Sequence, residues 1–169
     1  DTFHWEKPSN QRKGGGSGWR SGHTGTGIAK NKLVTFGGRW GNAMTNEVQI
    51  FNTDSLKWIT PAVKGACDHR EYHASCAIRE KVYVMGGVSE EGDLTSDLWL
   101  LDFDTMQWSV VSTYGQAAPR PRRGHAMCGS EVDRKIIVCG GFDGDSHLMD
   151  VCILETDRLT WSCPSTTGM

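Results

Sequence analysis

Three short apolar runs of the chain each end in a pair of glycines. They read KLVTFGG, KVYVMGG and KIIVCGG and end at Gly38, Gly87 and Gly141. Each run is continuously apolar or β-branched rather than alternating, which is typical of a strand that is buried on both faces. Two adjacent glycines allow backbone angles and close contacts that other residues do not. The pattern therefore predicts three equivalent buried strands.

Three further markers recur in the same phase. A histidine precedes each apolar run, an acidic residue opens the apolar run that follows, and a tryptophan comes after that. Markers that keep one order and a period of about 50 residues indicate an internal repeat. They are His23, His73 and His125; Glu47, Asp97 and Asp150; and Trp58, Trp108 and Trp161, with Trp5 one period ahead of the first unit.

Each unit contains four segments that resemble strands. In the second unit they cover residues 73–79, 81–85, 97–102 and 107–111. The sequence also has 21 glycines and seven tryptophans. Many glycines with aromatic residues at intervals favour a β architecture with many tight turns. The sequence therefore predicts an all-β fold of four-stranded units.

The order of glycine pair, acidic residue and tryptophan resembles the kelch repeat, and the resemblance covers nearly the whole chain. It implies a kelch-type β-propeller whose blades are four-stranded antiparallel sheets. The linker PRPRRGH and the hairpin LDFDTMQW are most similar to the longer-repeat kelch proteins outside the BTB–kelch group. On this resemblance we expect three complete blades, at 20–60, 70–111 and 122–163, with residues 1–7 forming the last strand of a preceding blade.

The number of blades departs from the family pattern. Kelch propellers close with about five to seven blades. Three blades and one strand would leave open sheet edges, which proteins normally cover. We therefore expect the chain to be part of a larger ring whose remaining blades lie outside this segment.

Charge and hydropathy narrow the classes of partner. The sequence contains 18 Lys and Arg against 20 Asp and Glu, a net charge of −2, which argues against nucleic-acid binding. It has no apolar run of membrane-spanning length and no signal-peptide pattern at its start. We expect no membrane partner and a location in the cytoplasm, with the nucleus as an alternative.

The six cysteines are expected to be reduced. Several lie in apolar, strand-like runs, where a buried thiol behaves as a small hydrophobe, and no CxxC motif occurs. The group Cys67, His69, His73 and Cys76 has zinc-ligand residue types. However, His73 and Cys76 have counterparts in other units that lack the remaining partners. The stretch DGDSH at 143–147 could offer oxygens to a cation but lacks the other ligands of an EF-hand.

The function is expected on one end of the blades, here called the loop face. It comprises the loops after the glycine pairs (39–46, 88–96 and 142–149) and the linkers between blades (8–22, 61–72 and 112–124). Arg, Trp and Tyr dominate binding hot spots, and arginine can grip a carboxylate with two hydrogen bonds. We therefore predict that this face binds a partner through Arg20, Arg70, Arg122, Arg39, Trp40, Trp19, Tyr72, Arg120 and Arg123, with Tyr114 exposed on the same face.

Three of these arginines are repeat markers themselves. Arg20, Arg70 and Arg122 each lie three residues before the histidine, in RSGH, REYH and RRGH. We expect their guanidinium groups to converge near one mouth of the central channel, where like charges need acidic partners or a ligand. Trp19 and Trp40 either contact the partner or pack inside long loops.

The resemblance implies a non-catalytic protein-interaction module without cofactor or metal. Its partner is a protein or peptide, which could carry acidic side chains or a free carboxylate. Family roles include scaffolds on the cytoskeleton and substrate receptors of ubiquitin ligases. The alternative is a metal-dependent oxidoreductase or specifier enzyme on a kelch propeller.

Overall fold

The computed structural model describes residues 19–28, 31–115 and 117–165. These residues form sixteen strands and no helix, so none offers a helical membrane span. The strand predicted over residues 1–7 lies outside the described residues. The strands are β1 Arg20–Ser21, β2 Thr24–Ile28, β3 Lys32–Phe36, β4 Arg39–Trp40, β5 Ala43–Met44, β6 Val48–Asn52, β7 Lys57–Ile59, β8 Arg70–Glu71, β9 Ala74–Ile78, β10 Lys81–Ser89, β11 Leu94–Asp102, β12 Gln107–Val110, β13 Ala126–Ser130, β14 Lys135–Cys139, β15 Val151–Glu155 and β16 Thr160–Ser162.

Each predicted unit forms one antiparallel sheet whose four main strands follow sequence order. Blade 1 is β2-β3-β6-β7, blade 2 is β9-β10-β11-β12, and blade 3 is β13-β14-β15-β16. The predicted all-β fold of four-stranded propeller blades is therefore confirmed. The total number of blades in the ring and the outer limits of each blade segment stay predictions.

Two hydrophobic cores lie between successive blades. In the first, Phe36 of blade 1 packs against Trp108 of blade 2, with ring centroids 4.9 Å apart. In the second, Met85 of blade 2 and Trp161 of blade 3 are both buried. Side chains alternate between the two faces of a strand, so blade 2 contributes to both cores. The repeated tryptophan closes each core near its outer edge.

The two glycines of each pair are required for different reasons. A Cβ on Gly37 would lie 2.7 Å from Cε1 of His73 in the next blade. A Cβ on Gly38 would lie 2.5 Å from the carbonyl oxygen of Ser21 in its own blade. Both glycines also have positive φ. The pair therefore lets the backbone turn while the next blade approaches it closely.

The middle blade extends further onto the loop face than the pattern predicted. β10 and β11 span nine residues each, beyond the predicted 81–85 and 97–102. An irregularity between Met85 and Gly87 lets the β10–β11 ribbon continue past the glycine pair, where β8 joins it. Apolar patterning ends where burial ends, so it could not reveal strand pairing in an exposed ribbon.

The expectation that all six cysteines are reduced is wrong for one pair. Cys152 and Cys163 form a disulfide between the neighbouring strands of blade 3's outer hairpin. The other four cysteines are free: Cys67 and Cys76 are buried, and Cys128 and Cys139 are exposed. Repeat comparison missed the pair because neither other blade has cysteines at these two positions.

Candidate partner-binding site on the loop face

The repeated arginine is buried in each blade and forms an ion pair with a partly exposed acidic residue. The guanidinium of Arg122 donates to both carboxylate oxygens of Asp150, at 2.7 Å each, and to the carbonyl oxygen of Gly140 at 2.9 Å. Its Nε donates to the carbonyl of Arg120. The Arg122 side chain is fully buried. It therefore ties the start of the inner strand to the glycine pair and to the start of the third strand.

The same arrangement recurs in the other two blades. Arg70 donates to Asp97 at 2.8 and 2.9 Å and to the carbonyl of Gly86 at 3.0 Å. Arg20 pairs with Glu47 and donates to the carbonyl of Gly37. The exposed fractions of the Arg20 and Arg70 side chains are 2% and 1%.

These contacts correct one prediction. Arg20, Arg70 and Arg122 do not present their guanidinium groups to a partner at the channel mouth, because each is buried and already holds a carboxylate. The partners are the repeated acidic residues that open the third strand, Glu47, Asp97 and Asp150. Recurrence of both charges at a separation of 27 or 28 residues was the signal that could have revealed the pair.

The acidic members of two pairs respond to their arginines. Burial would raise the pKa of Asp97, but hydrogen bonding and the positive charge of Arg70 lower it below its ordinary value. The Arg122 hydrogen bonds lower the pKa of Asp150 against a smaller effect of burial. Both carboxylates therefore stay ionised at neutral pH, as a structural ion pair requires.

The repeated histidines lie between blades. His73 is buried, and its Nε2 hydrogen-bonds to Thr24 Oγ1 of blade 1 at 2.9 Å. Burial and the charge of Arg70 lower the pKa of His73 to about 3. Burial and Arg122 likewise lower the pKa of His125 to about 4. Neutral, desolvated imidazoles at these positions serve blade packing.

The candidate metal groups are committed to other contacts. Cys67 is fully buried, and His69 pairs with Glu90 at 2.8 Å instead of joining His73. In DGDSH, Asp143 accepts backbone hydrogen bonds from its own turn and pairs with Arg120 at 3.0 Å. Within residues 19–28, 31–115 and 117–165, no three His, Cys, Asp or Glu side chains cluster as metal ligands.

Two further predicted arginines reach the loop face but are paired. Arg39 forms two 3.1 Å hydrogen bonds to the carboxylate of Glu71, which links blade 1 to blade 2. Arg120 pairs with Asp143 within blade 3. Both arginine side chains are partly exposed, but an acidic side chain of the protein already neutralises each charge.

Aromatic side chains are exposed on the same face. Trp40 is 62% exposed on β4, which pairs with β1 directly beside Trp19, itself 82% exposed. Neither tryptophan is therefore buried inside the loops. Tyr114 is also exposed but lies elsewhere: its backbone pairs with Leu159 and Trp161, next to the hairpin at the opposite end of blade 3. Tyr114 is therefore removed from the loop face.

Tyr72 occupies a backbone position that the other blades give to glycine. Its φ is 55°, and the equivalent Gly22 and Gly124 have φ of 65° and 63°. A side chain in the left-handed region costs about 1 kcal/mol or more. Tyr72 is 47% exposed, so about half of its surface is in contact with the protein.

Arg123 differs from the other predicted arginines. It is exposed, and its guanidinium carbon lies 5.4 Å from the ring centroid of Phe142. Among the described residues it has no carboxylate partner. Together with Tyr72, it lines a loop-face cavity of about 690 Å³ whose other lining residues are Gly124, Gly141, Phe142, His147 and Leu148.

Comparison with known proteins identifies the family. A family profile described as the KLHDC2/KLHL20/DRC7 Kelch-repeats domain matches residues 1–169. The chain belongs to the kelch-repeat family. The resemblance read from the glycine pairs, acidic residues and tryptophans is thereby confirmed.

Individual kelch relatives have varied names. The protein is 34% identical over 125 residues to the Rab9 effector protein with kelch motifs of Bos taurus, covering 72% of this chain and 33% of that protein. It is 32% identical to dynein regulatory complex subunit 7 of Chlamydomonas reinhardtii, covering 71% of this chain and 10% of that protein. It is 32% identical to Rho GTPase-activating protein gacHH of Dictyostelium discoideum, covering 69% and 8%. The chain thus spans at most a third of these kelch proteins.

Sequence analysis missed three side chains of this kelch cavity. Phe142, His147 and Leu148 lie in the loop after the third glycine pair, and the Phe142 and His147 rings are 5.3 Å apart. This loop belongs to the predicted loop face, but only its acidic residues were considered, as possible cation ligands. Two aromatic residues and a leucine in a single short loop were the available signal.

Proposed function

We propose that this kelch domain is a non-catalytic interaction module that binds a protein or peptide through its loop face. The observation that carries the proposal is the Tyr72–Arg123 patch, where an exposed aromatic ring and a guanidinium without a carboxylate partner among the described residues lie beside one cavity. Aromatic and arginine side chains are the types that most often dominate binding energy. Trp40 and Trp19 extend the same face over blade 1.

The backbone of Tyr72 supports a binding role. Glycine at this position would avoid the strained φ, as Gly22 and Gly124 do. Strained residues persist where the surrounding structure or a function retains them. Tyr72 is half-exposed and belongs to neither core, so its ring is accessible to a partner on this face.

Arg123 specifies the chemistry of the partner. Every other arginine predicted for this face already holds a carboxylate within the protein. Arg123 lies against an aromatic ring, which restricts its motion and prepares it for an anionic ligand. We propose that it binds a carboxylate of the partner, from an acidic side group or from the partner's own C-terminus.

Affinity purification with matched variants tests the proposal. The complete protein is expressed as wild type, Arg123→Glu, Trp40→Ala and Arg79→Glu, and co-purifying proteins are quantified by mass spectrometry. Arg79 is a suitable control because it is exposed at the opposite end of blade 2. A partner that is lost with Arg123→Glu and weakened by Trp40→Ala, but kept by Arg79→Glu, supports the site. Equal recovery in all four samples would overturn it.

Variants of the partner peptide distinguish an acidic side chain from a C-terminal carboxylate as the group that Arg123 binds. A peptide from the recovered partner is measured with a free C-terminus, with an amidated C-terminus, and with its Asp and Glu replaced by Asn and Gln. Loss of one charge–charge contact of this kind weakens binding by about tenfold or more. If neither change weakens binding to the wild-type protein, the carboxylate assignment is wrong, although the loop face can still be the binding surface.

The enzyme alternative predicts a bound metal. Elemental analysis of the complete purified protein separates the two functions, since a metal-dependent oxidoreductase or specifier would hold about one equivalent. Stoichiometric zinc released by both Cys76→Ser and His69→Ala would favour the alternative. The cellular role of the kelch domain stays a prediction, whether as a scaffold, a cytoskeletal regulator or a ubiquitin-ligase substrate receptor. Its location in the cytoplasm or nucleus also stays a prediction.

A further inference from the structure

In every blade, the residue two positions after the repeated acid contacts the carboxylate of that acid. In blades 1 and 2 a side-chain N–H donates to the carboxylate, in the pairs Gln49–Glu47, at 3.0 Å, and Trp99–Asp97. In blade 3 the position is occupied by Cys152, whose Sγ lies 3.7 Å from Oδ2 of Asp150. The repeat therefore provides a second donor to the carboxylate that holds the repeated arginine, and blade 3 has a cysteine in this role.

The donor in blade 3 depends on the redox state of Cys152. Oδ2 of Asp150 also accepts a 2.7 Å hydrogen bond from Arg122. A thiol can donate a weak hydrogen bond to the same oxygen, but a disulfide sulfur carries no hydrogen. In the structure Cys152 is bonded to Cys163, so its contact with Asp150 is not a hydrogen bond. Reduction would supply the donor and complete the arrangement that the other two blades have.

The second sulfur of the disulfide has an acceptor as well. Sγ of Cys163 lies 3.0 Å from the carbonyl oxygen of Ala117, in the linker between blades 2 and 3. A thiol at this position would donate to that carbonyl, whereas the disulfide sulfur brings only lone pairs towards it. Both sulfurs therefore lie against oxygens that only the reduced cysteines can use. Two new hydrogen bonds would offset part of the free energy that is lost when the disulfide is broken.

The disulfide is accessible and closes a short stretch of chain. Cys163 is exposed, whereas Cys152 is fully buried. The two cysteines are 11 residues apart in the sequence. Because the loop-closure contribution of a disulfide increases with the length of the closed loop, this bond constrains the unfolded chain less than a long-range disulfide would. Exposed disulfides are the ones that exchange most readily with thiols in solution.

We propose that Cys152 and Cys163 are a redox-active pair, which exchanges with thiols of the glutathione class and whose oxidation state is linked to the Asp150–Arg122 ion pair. A glutathione thiolate attacks the exposed Sγ of Cys163, the S–S bond breaks, and Cys152 leaves as a thiolate that takes a proton from water. A second glutathione thiolate attacks the glutathione sulfur of the mixed disulfide. This step releases glutathione disulfide and leaves Cys163 as a thiol after protonation. Two glutathione thiols are thus oxidised for each protein disulfide that is reduced.

The ion pair connects this chemistry to the interface between two blades. The carbonyl of Arg122 accepts a 2.8 Å hydrogen bond from the amide of Gly87 in blade 2. Asp150 fixes the Arg122 side chain, so a further donor to Asp150 acts on a residue that joins blades 2 and 3. The coupling is reciprocal, because a carboxylate that stabilises the reduced cysteines is itself stabilised by them. The inference does not rest on the proposed function, since it involves no partner.

A redox titration of the complete protein tests the exchange. The protein is equilibrated in buffers with stepped ratios of reduced to oxidised glutathione, then quenched in acid and denatured. Free thiols are alkylated with a light reagent, and thiols released by a strong reductant are alkylated with a heavy one. Mass spectrometry gives the oxidised fraction of the Cys152–Cys163 pair, which we expect to fall from high to low within the series. A disulfide that persists in reduced glutathione alone, or a pair that stays reduced in oxidised glutathione alone, would overturn the inference.

Matched asparagine variants test the link to the ion pair. Asp150→Asn removes the charged acceptor beside Cys152, so we expect the exchange equilibrium to shift towards the disulfide by about fivefold, as loss of one ordinary hydrogen bond would give. Asp97→Asn is the control, because it breaks the equivalent ion pair of blade 2, where Trp99 stands in place of the cysteine. Its exchange equilibrium should equal that of the wild-type protein. Equal equilibria in all three proteins, or the same shift in both variants, would show that the cysteines are not linked to the ion pair.

Discussion

Arg122 and Arg123 are neighbours in the sequence but have opposite environments. Arg122 is fully buried and holds Asp150 and a glycine carbonyl inside blade 3. Arg123 is exposed on the loop face, lies over Phe142, and has no carboxylate partner among the described residues. The first position is arginine in all three blades, whereas the second is Ser21, Glu71 or Arg123.

Recurring and varying side chains have different roles within this repeat. Side chains that recur in every unit satisfy contacts that every unit needs, namely the ion pair, the covered glycine and the core tryptophan. Side chains that change between units at exposed positions are free of those contacts and can serve a partner.

Trp108→Ala should destabilise the protein by about 3–5 kcal/mol, because it removes a large buried aromatic side chain from the first core. Trp40→Ala, on the loop face, should change the free energy of unfolding by no more than about 0.5 kcal/mol. Denaturant unfolding of the complete protein measures both. Similar losses for the two tryptophans would mean that Trp40 is not a surface residue.

Arg122→Ala should cost about 1–3 kcal/mol, since it leaves the Gly140 carbonyl and the partly exposed Asp150 carboxylate without their charged donor. Arg122→Lys should recover only part of this, because lysine lacks the two-pronged geometry. Arg123→Ala should leave stability within about 0.5 kcal/mol and reduce partner binding instead. If Arg122→Ala folds normally but loses its partner, the buried arginine has a role in binding.

Acidification should weaken the blade interfaces before it breaks the ion pairs. Folding lowers the pKa of His125 from 6.5 to about 4. The stabilisation that the neutral imidazole gives the folded state is therefore fully present above pH 6.5 and declines as the pH falls below 6.5. Between pH 6.5 and pH 5 the loss should be about 2 kcal/mol for this histidine. Asp97 and Asp150, whose pKa values are lowered by their arginines, lose their contribution only below about pH 3.8.

The histidine effect is measured as the slope of the unfolding midpoint against pH in this window. His125→Gln should flatten the slope relative to that of the wild-type protein. A slope that is unaffected by His125→Gln would show that other groups control acid stability.

Tyr72→Gly should have the smallest effect on stability. Unlike the other substitutions, it should stabilise the protein. Relief of the left-handed strain outweighs the added flexibility of the unfolded state, so we expect a gain of about 0.5 kcal/mol. The same substitution removes the exposed ring and should weaken partner binding. Tyr72→Phe, which keeps both ring and strain, is the control. A loss of stability in Tyr72→Gly would indicate that the ring packs structurally.

The sequence alone determined the repeat, the strand composition of each blade and the kelch family. These features recur in one period, because every blade must bury the same strand, accommodate the same close backbone contact and fill the same gap with tryptophan. The positions of the loops were also predictable, since antiparallel order brings the glycine-pair turns and most of the linkers to one end. Tyr114 escaped this reasoning because its linker pairs with the start of β16 before it returns to that end.

Which polar side chains are available to a partner depends on how the blades pack in three dimensions. Charge pairing depends on three-dimensional distance, so a recurring arginine and a recurring acid some 27 residues apart neutralise each other, while Arg123 has no such partner among the described residues. The disulfide and the aromatic cavity depend in the same way on single residues that no other blade repeats. Periodicity reveals what the blades share, whereas the proposed binding patch rests on Tyr72 and Arg123, which the equivalent positions of the other blades do not repeat.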